Sequence, residues 1–174
     1  MKKIILRYGL ISGCIAGVLL FGITIIFKII GFDKVGFENS AYLGYTAILI
    51  SMSVVYFGIK AFRDQHQEGK ISFGKGLGIG LGIMLISCIM YSLAWLIVYY
   101  NFIPTFMDDY SNFSILKAQQ KGASEAELAK ITAQMDQMKG WYKNPFAIFG
   151  ITMTEPMPVG ILVVLISAFI LKRK

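Results

Sequence analysis

Glu155 is the residue of this 174-residue chain whose position most invites a chemical role. Its carboxylate stands beside Pro156 and Pro158, in an apolar stretch from residue 144 to residue 171 that contains no other Asp, Glu, Lys or Arg. A charge inside a membrane is costly and often marks an ion or proton path. One hypothesis is therefore an intramembrane acid that handles a proton or cation.

A second interpretation gives Glu155 a structural role. Proline suits the first turn of a helix, so Pro156 would start the last helix, and Glu155 or Thr154 would cap its free amide groups. A carboxylate there would also meet the positive end of the helix dipole. The fourth span would begin at Phe146 in the first hypothesis and at Pro156 in the second, and the sequence leaves both open.

Asp108 and Asp109 form the other acidic candidate. Neighbouring side chains project about 100° apart on a helix, and no His or Cys lies nearby to complete a metal or acid–base site. They suit first-turn acids of a helix that follows Pro104. We predict no catalytic residue, no cofactor and no metal ligand, and we keep Glu155, Asp108 and Asp109 as candidate functional residues.

Four apolar stretches must position these residues. Hydrophobic residues make up 56% of the chain and charged residues 16%, which departs from soluble proteins in the direction expected for a membrane protein. A bilayer core needs about 20 apolar helical residues. We predict an all-α integral membrane four-helix bundle, a single domain over residues 1–174, with spans at about 8–27, 39–59, 76–100 and 146–171.

The segment between the third and fourth spans is long enough to fold outside the bilayer. Gly122 offers a helix stop, Ser124 and Glu127 have the spacing of a capping box, and apolar residues recur at helical spacing on both sides. We predict a short extracytoplasmic helical hairpin over about 104–140. Its apolar faces would pack on each other, lie on the outer leaflet, or receive a partner.

The net charge of +7 arises from 17 Lys and Arg against 10 Asp and Glu. The basic residues flank the spans instead of covering one soluble face, so we predict no nucleic-acid partner. Ten of the basic residues lie at the two termini and between the second and third spans. The other seven lie in the two connections on the opposite side of the membrane. The positive-inside rule then places both termini in the cytoplasm, and we expect a multi-pass protein of a bacterial cytoplasmic (inner) membrane.

Small residues punctuate the spans and suit close contact between helices, because lipid supplies no hydrophobic drive for helix association. The predicted helix-packing positions are Gly13, Gly17, Gly74, Gly78 and Gly82. Besides the lipid bilayer, the expected partner is a second copy of the chain or another membrane protein.

Cys14 follows a lipoprotein-like box, Ile11-Ser12-Gly13. Six residues separate it from Arg7, fewer than the roughly 7–15 of a signal-peptide core. We therefore predict a retained first helix without lipidation.

Short motifs in order along the chain carry a family resemblance. They include residues 8–13 (YGLISG), 69–75 (GKISFGK), 122–127 (GASEAE) and 155–160 (EPMPVG). This set resembles the bacterial membrane-protein family catalogued as domain of unknown function 4199. The resemblance implies a multi-span, largely helical membrane protein, and it brings no activity, cofactor or catalytic residue.

Three functions stay open. The leading hypothesis is a non-enzymatic scaffold or accessory subunit of a membrane assembly, based on the small-residue faces and the absence of converging chemistry. The alternative is a small oligomeric transporter or channel in which Glu155 acts with Tyr91 or Tyr45. A further alternative is an outer-interface lipid-modifying enzyme, or its accessory, which would need Glu155, Asp108 and Asp109 to converge.

Overall fold

The computed structural model describes residues 1–30 and 36–173, and these form an all-helical bundle, as predicted. No strand occurs in the described ranges. The helices are α1 (Lys2–Ile30), α2 (Phe37–Met52), α3 (Val54–His66), α4 (Phe73–Phe102), α5 (Phe106–Gln120), α6 (Glu125–Trp141), α7 (Pro145–Thr154) and α8 (Met157–Leu171).

Four helical segments of the described chain are long and apolar enough to cross a membrane. They are Lys2–Ile30, Asn39–His66, Phe73–Phe102 and Pro145–Leu171. The second contains α2 and α3, because Ser53 between them keeps helical angles of φ −57° and ψ −24°. Large apolar side chains such as Val18 and Phe169 remain exposed on the outside, where lipid would cover them. The chain is therefore a membrane protein.

α1 and α4 form the most extensive helix pair of the bundle. A Cβ atom added at Gly9 would lie 2.7 Å from the Cβ of Ile86, and one at Gly13 would lie 2.6 Å from the Cβ of Met90. These distances are shorter than normal carbon contacts, so the two backbones approach as closely as they do because the glycines lack side chains.

Three serines join α1, α2 and α4 in the bundle interior. The Ser12 hydroxyl donates to the Ser51 carbonyl oxygen at 2.7 Å and lies 2.9 Å from the Ser87 hydroxyl. All three residues are fully buried. Hydrogen bonds between helices stabilise a bundle where apolar burial cannot, since lipid is as apolar as the side chains.

The end of α8 is tied to the connection between α3 and α4. Ile71 and Arg173 exchange two backbone hydrogen bonds, of 3.1 and 3.0 Å, in an isolated antiparallel bridge. The C-terminal end of the last span therefore lies beside the connection that follows the second span.

α5 and α6 pack against each other and form the predicted helical hairpin. Gly122 adopts a left-handed φ of +76° after α5, and the capping box of Ser124 and Glu127 starts α6, as predicted. The backbone and hydroxyl of Ser124 donate to the Glu127 carboxylate, which lowers its pKa. α5 begins at Phe106, so Pro104 lies in the turn before the helix and not in its first turn.

The hairpin packs on one end of the bundle. A second apolar core joins Met107 and Tyr142, at the base of the hairpin, to Tyr99 of α4 and Ile148 of α7. Met138 of α6 packs against the same core. The apolar faces of the hairpin thus contact each other and the bundle. This favours packing of the two faces on each other over a position on the outer leaflet or the binding of a partner.

Candidate functional site

The helical hydrogen bonds of the last span are interrupted at Glu155 and Pro156, although both residues keep helical backbone angles. α7 ends at Thr154 and α8 begins at Met157, because neither Pro156 nor Pro158 has an amide hydrogen to continue the helical hydrogen bonds. The ten residues from Pro145 correspond to about 15 Å of helix, half of a hydrocarbon core about 30 Å thick. Glu155 therefore lies inside the segment Pro145–Leu171 that is long and apolar enough to cross a membrane, three residues before its midpoint.

The expectation that Glu155 or Thr154 caps a helix starting at Pro156 is wrong. α8 has no side-chain cap, and the Thr154 hydroxyl donates backward to the Ile151 carbonyl oxygen at 2.7 Å. Glu155 instead ends α7, with helical angles of φ −62° and ψ −50°. Its carboxylate makes no cap hydrogen bond to α8 and lies within reach of another helix of the bundle.

Tyr91 of α4 holds the Glu155 carboxylate. Its hydroxyl donates to Oε2 of Glu155 at 3.3 Å, and the tyrosine itself is buried. Within the described ranges no Lys, Arg or His forms an ion pair with Glu155. The acid is thus held by a neutral donor and not by an opposite charge.

Glu155 and Tyr91 lie on the wall of a cavity of about 340 Å³. The cavity is enclosed by side chains from α1, α2, α4, α5 and α6, at the end of the bundle that carries the hairpin. Tyr45, the other tyrosine proposed to assist Glu155, lines the same cavity. Glu155 is exposed by its accessible surface, although many protein atoms lie around it, so its carboxylate faces the open part of the cavity instead of a closed interior.

Trp95 and Tyr142 add two polar groups to this wall. Burial raises the pKa of Tyr142 to about 12, and the nearby Glu155 carboxylate adds to the shift, so the phenol stays protonated at neutral pH. The indole N–H of Trp95 is close enough to the Tyr142 hydroxyl to oppose part of the shift. That N–H is nevertheless buried without a hydrogen-bond partner. A buried donor without a partner is costly, so Trp95 offers a free donor to whatever enters the cavity.

Asp108 and Asp109 do not join Glu155. Asp108 is an exposed first-turn acid of α5 that pairs with Lys139 of α6 at 3.0 Å, and Asp109 accepts a hydrogen bond from the Thr105 hydroxyl at 2.9 Å. Asp109 borders a separate cavity of about 240 Å³. No group of three His, Cys, Asp or Glu residues in the described ranges could hold a metal ion.

The five glycines predicted to pack helices lie in different surroundings. A Cβ at Gly13 or Gly82 would collide with α4 or α1, respectively, and one at Gly17 would make ordinary contact with Ala94 at 3.5 Å. Gly74 and Gly78 have no atom of the described chain within 4 Å of that position. These two glycines therefore present a bare helix face outward.

Sequence reasoning missed Trp95 and Tyr142 as parts of the site. Tyr91, Trp95 and Tyr99 recur every four residues, which places their rings on one face of α4. That spacing was a usable signal for an aromatic wall. No local sequence pattern pointed to Tyr142, because only the fold of the hairpin brings this residue to the cavity.

Comparison with known proteins gives a family and no closer relative. No curated protein and no solved structure matches the chain. A family model described as "Protein of unknown function (DUF4199)" matches residues 11–173, nearly the whole chain. The chain therefore belongs to this family, as its motifs indicated.

Proposed function

We propose that this membrane protein binds a small solute or ion within the bilayer and carries it across, with Glu155 as the binding group. The observation that carries the proposal is the position of Glu155, on the wall of a cavity and at a proline interruption of a span. The backbone stays helical there, so the interruption is milder than the unwound helices at transporter binding sites, but it lies beside a cavity as those do.

This proposal reverses the order of the functional hypotheses drawn from the sequence. The scaffold hypothesis rested on the small-residue faces, the compact outer hairpin and the absence of converging chemistry. Glu155 caps no helix, and a cavity of about 340 Å³ reaches it. An acid with no capping role, and with no ionic partner among the described residues, is costly to place inside a membrane, which favours a functional reason for keeping it.

We further propose that the protein acts as an oligomer in a bacterial inner membrane, with both termini in the cytoplasm. Four spans enclose little room for a continuous pore, so a second copy would complete the path. The excess of basic residues at the termini and the second connection supports the orientation. The hairpin and the cavity beneath it would then face the outer leaflet.

Flux through proteoliposomes tests the role of Glu155. A potassium diffusion potential is imposed on vesicles that contain a pH-sensitive dye, and proton entry is followed for the wild type and for Glu155→Gln. We expect a flux in the wild type that falls to the level of protein-free vesicles in Glu155→Gln, because the amide cannot carry charge. Glu125→Gln, at an exposed hairpin acid, is the matched control and should leave the flux unchanged.

Wild-type flux that survives in Glu155→Gln would remove Glu155 as the ion-handling group. The same assay repeated with radioactive rubidium distinguishes a proton path from a path for larger monovalent cations. If neither ion moves in the wild type, the protein does not conduct small inorganic cations, and transport would be restricted to an organic solute.

A scaffold or accessory role remains the second candidate, and the bare face at Gly74 and Gly78 favours it. We expect Gly78→Leu to weaken self-association in mild detergent, since a large side chain would block close approach of another backbone. Gly22→Leu is the control, because it also lies on an open face, on α1. Equal oligomer distributions for both variants and the wild type, measured by crosslinking, would count against this face as an interface.

A further inference from the structure

The chemical class of the solute can be narrowed from the walls of the Glu155 cavity. Glu155 is the one charged residue among the described residues that line it, and no Lys, Arg or His is among them. A carboxylate in a largely apolar wall leaves an uncompensated negative field in a medium of low dielectric constant. Charge complementarity therefore favours a cationic occupant over a neutral or anionic one.

The aromatic content of the walls favours an organic cation. Eight of the twenty lining residues carry aromatic rings. The face of an aromatic ring attracts a cation, most strongly for Trp and when water is excluded. Phe106 of this wall meets the Trp95 ring edge-on at 5.0 Å and stacks on Tyr110 at 6.2 Å, so the rings form a continuous cluster.

No cation–π contact of the described residues involves Tyr91, Trp95 or Tyr142 beside Glu155. Among the described residues, five Lys or Arg side chains lie over aromatic rings, and those rings are Tyr8, Phe62, Phe102, Phe113 and Phe169. None of the five rings lines the cavity. Tyr91, Trp95 and Tyr142 are thus left for a cation from outside the chain.

The volume of the cavity favours an organic cation over a bare metal ion as its occupant. A volume of about 340 Å³ falls at the lower end of the roughly 300–1,000 Å³ of small-molecule sites. An inorganic cation would instead require several oxygen ligands. The described residues form no metal-binding cluster, and the walls are mostly carbon.

We infer that the cavity binds a small organic cation, such as a quaternary ammonium or another alkylated amine, with Glu155 as its counter-ion and Tyr91, Trp95 and Tyr142 around it. This inference rests on the proposed function and names its solute class. The free N–H of Trp95 and the hydroxyl of Tyr142 would contact polar groups carried by the cation.

The fluorescence of Trp95 can report the binding of a ligand in the cavity. The chain has two tryptophans, and Trp141 lies outside the cavity, so Trp141→Phe leaves Trp95 as the single indole fluorophore. The probe is phenyltrimethylammonium, and its neutral isostere tert-butylbenzene has the same shape without the charge. Both are titrated into the purified full-length protein, with partition into protein-free micelles subtracted.

We expect phenyltrimethylammonium to change Trp95 fluorescence saturably and tert-butylbenzene to do so at least about tenfold more weakly, as a loss of cation attraction predicts. Glu155→Gln should remove the difference between the two probes. Tyr91→Phe keeps the ring and should retain cation binding with reduced affinity. Glu125→Gln, the control, should behave as the wild type. A variant is compared with the wild type only if it elutes as a single folded species.

Three outcomes separate this inference from the proposed function. Equal binding of the cation and its isostere, unchanged in Glu155→Gln, would overturn the organic-cation inference and leave a ligand cavity. No response of Trp95 together with a Glu155-dependent proton flux would also overturn it, while the transport proposal would stand. No response and no flux would overturn both.

Discussion

At the scale of single residues, Ser12 shows how polar groups replace the hydrophobic effect inside this bundle. Its hydroxyl contacts both Ser51 and Ser87, so one group links three helices. All the atoms concerned are buried, and water does not substitute for a lost partner. The contribution of this serine should therefore exceed that of a hydroxyl bonded within its own helix.

We predict that Ser12→Ala lowers the free energy of unfolding by about 0.6–1.7 kcal/mol, the range found for hydrogen bonds between membrane helices. Ser53→Ala is the matched control. The Ser53 hydroxyl is exposed and donates to the Ile50 carbonyl oxygen within the same span, so its removal should cost less. Unfolding titrations in mixed micelles measure both, and equal costs would contradict the linking role of Ser12.

Glu155 shows how much of the candidate site the sequence could predict at the level of single residues. Its unusual position was visible in the sequence, because a lone acid in an apolar stretch stands out. Its partner Tyr91 lies 64 residues away, and the decision between capping and facing the bundle depends on that contact. Local signals such as proline at a helix start could not decide it, since they describe the helix alone.

At the scale of helices, the approach of α1 to α4 depends on where glycine stands. A Cβ atom at Gly13 would meet the Cβ of Met90, an atom fixed to the α4 backbone, so relief requires a shift of the helix itself. At Gly22 of the same helix nothing lies within 4 Å. The same substitution should therefore have opposite effects at the two positions.

We predict that Gly13→Ala lowers the free energy of unfolding by about 1–3 kcal/mol through overpacking. Gly22→Ala should be neutral or stabilising by up to about 1 kcal/mol, because alanine favours the helix where space allows. The two variants share one chemical change and one helix, which makes each the control for the other. A destabilised Gly22→Ala, or an unaffected Gly13→Ala, would show that α1 and α4 are less closely packed than described.

The helices themselves were largely predictable, and their ends less so. Runs without charge indicated the spans, and turn chemistry at Gly122 and Ser124 indicated the hairpin. The last span begins at Pro145 and is interrupted at Glu155, whereas the sequence allowed either a continuous span or a short one. Pro156 and Pro158 are compatible with a continuous span and with a short one. The packing of the last span against α4 decides between these two possibilities.

At the scale of the whole molecule, the bridge between Ile71 and Arg173 places the C-terminal end of α8 beside the connection after the second span. The hairpin lies at the other end of the bundle, where it packs on the last turn of α4. The architecture thus separates two ends of the bundle, and the orientation that we propose would place them on opposite sides of the membrane.

We predict that a membrane-impermeant thiol reagent labels Gln119→Cys from outside intact cells and labels Glu68→Cys after the cells are opened. Both variants are made in a Cys14→Ser, Cys88→Ser background, and both positions are exposed. The unmodified background is the control for residual labelling. Labelling with the opposite preference would invert the orientation, and equal labelling of both sites from outside would contradict the separation of the two ends.

The acid in the last span also has a consequence for biogenesis. Glu155 lies between helical segments of 10 and 15 residues, within a span of 27 residues. An acid inside a span disfavours transfer from the translocon into lipid. Tyr91 of the third span is synthesised first, so we expect it to be in place to donate to Glu155 as the last span enters the membrane.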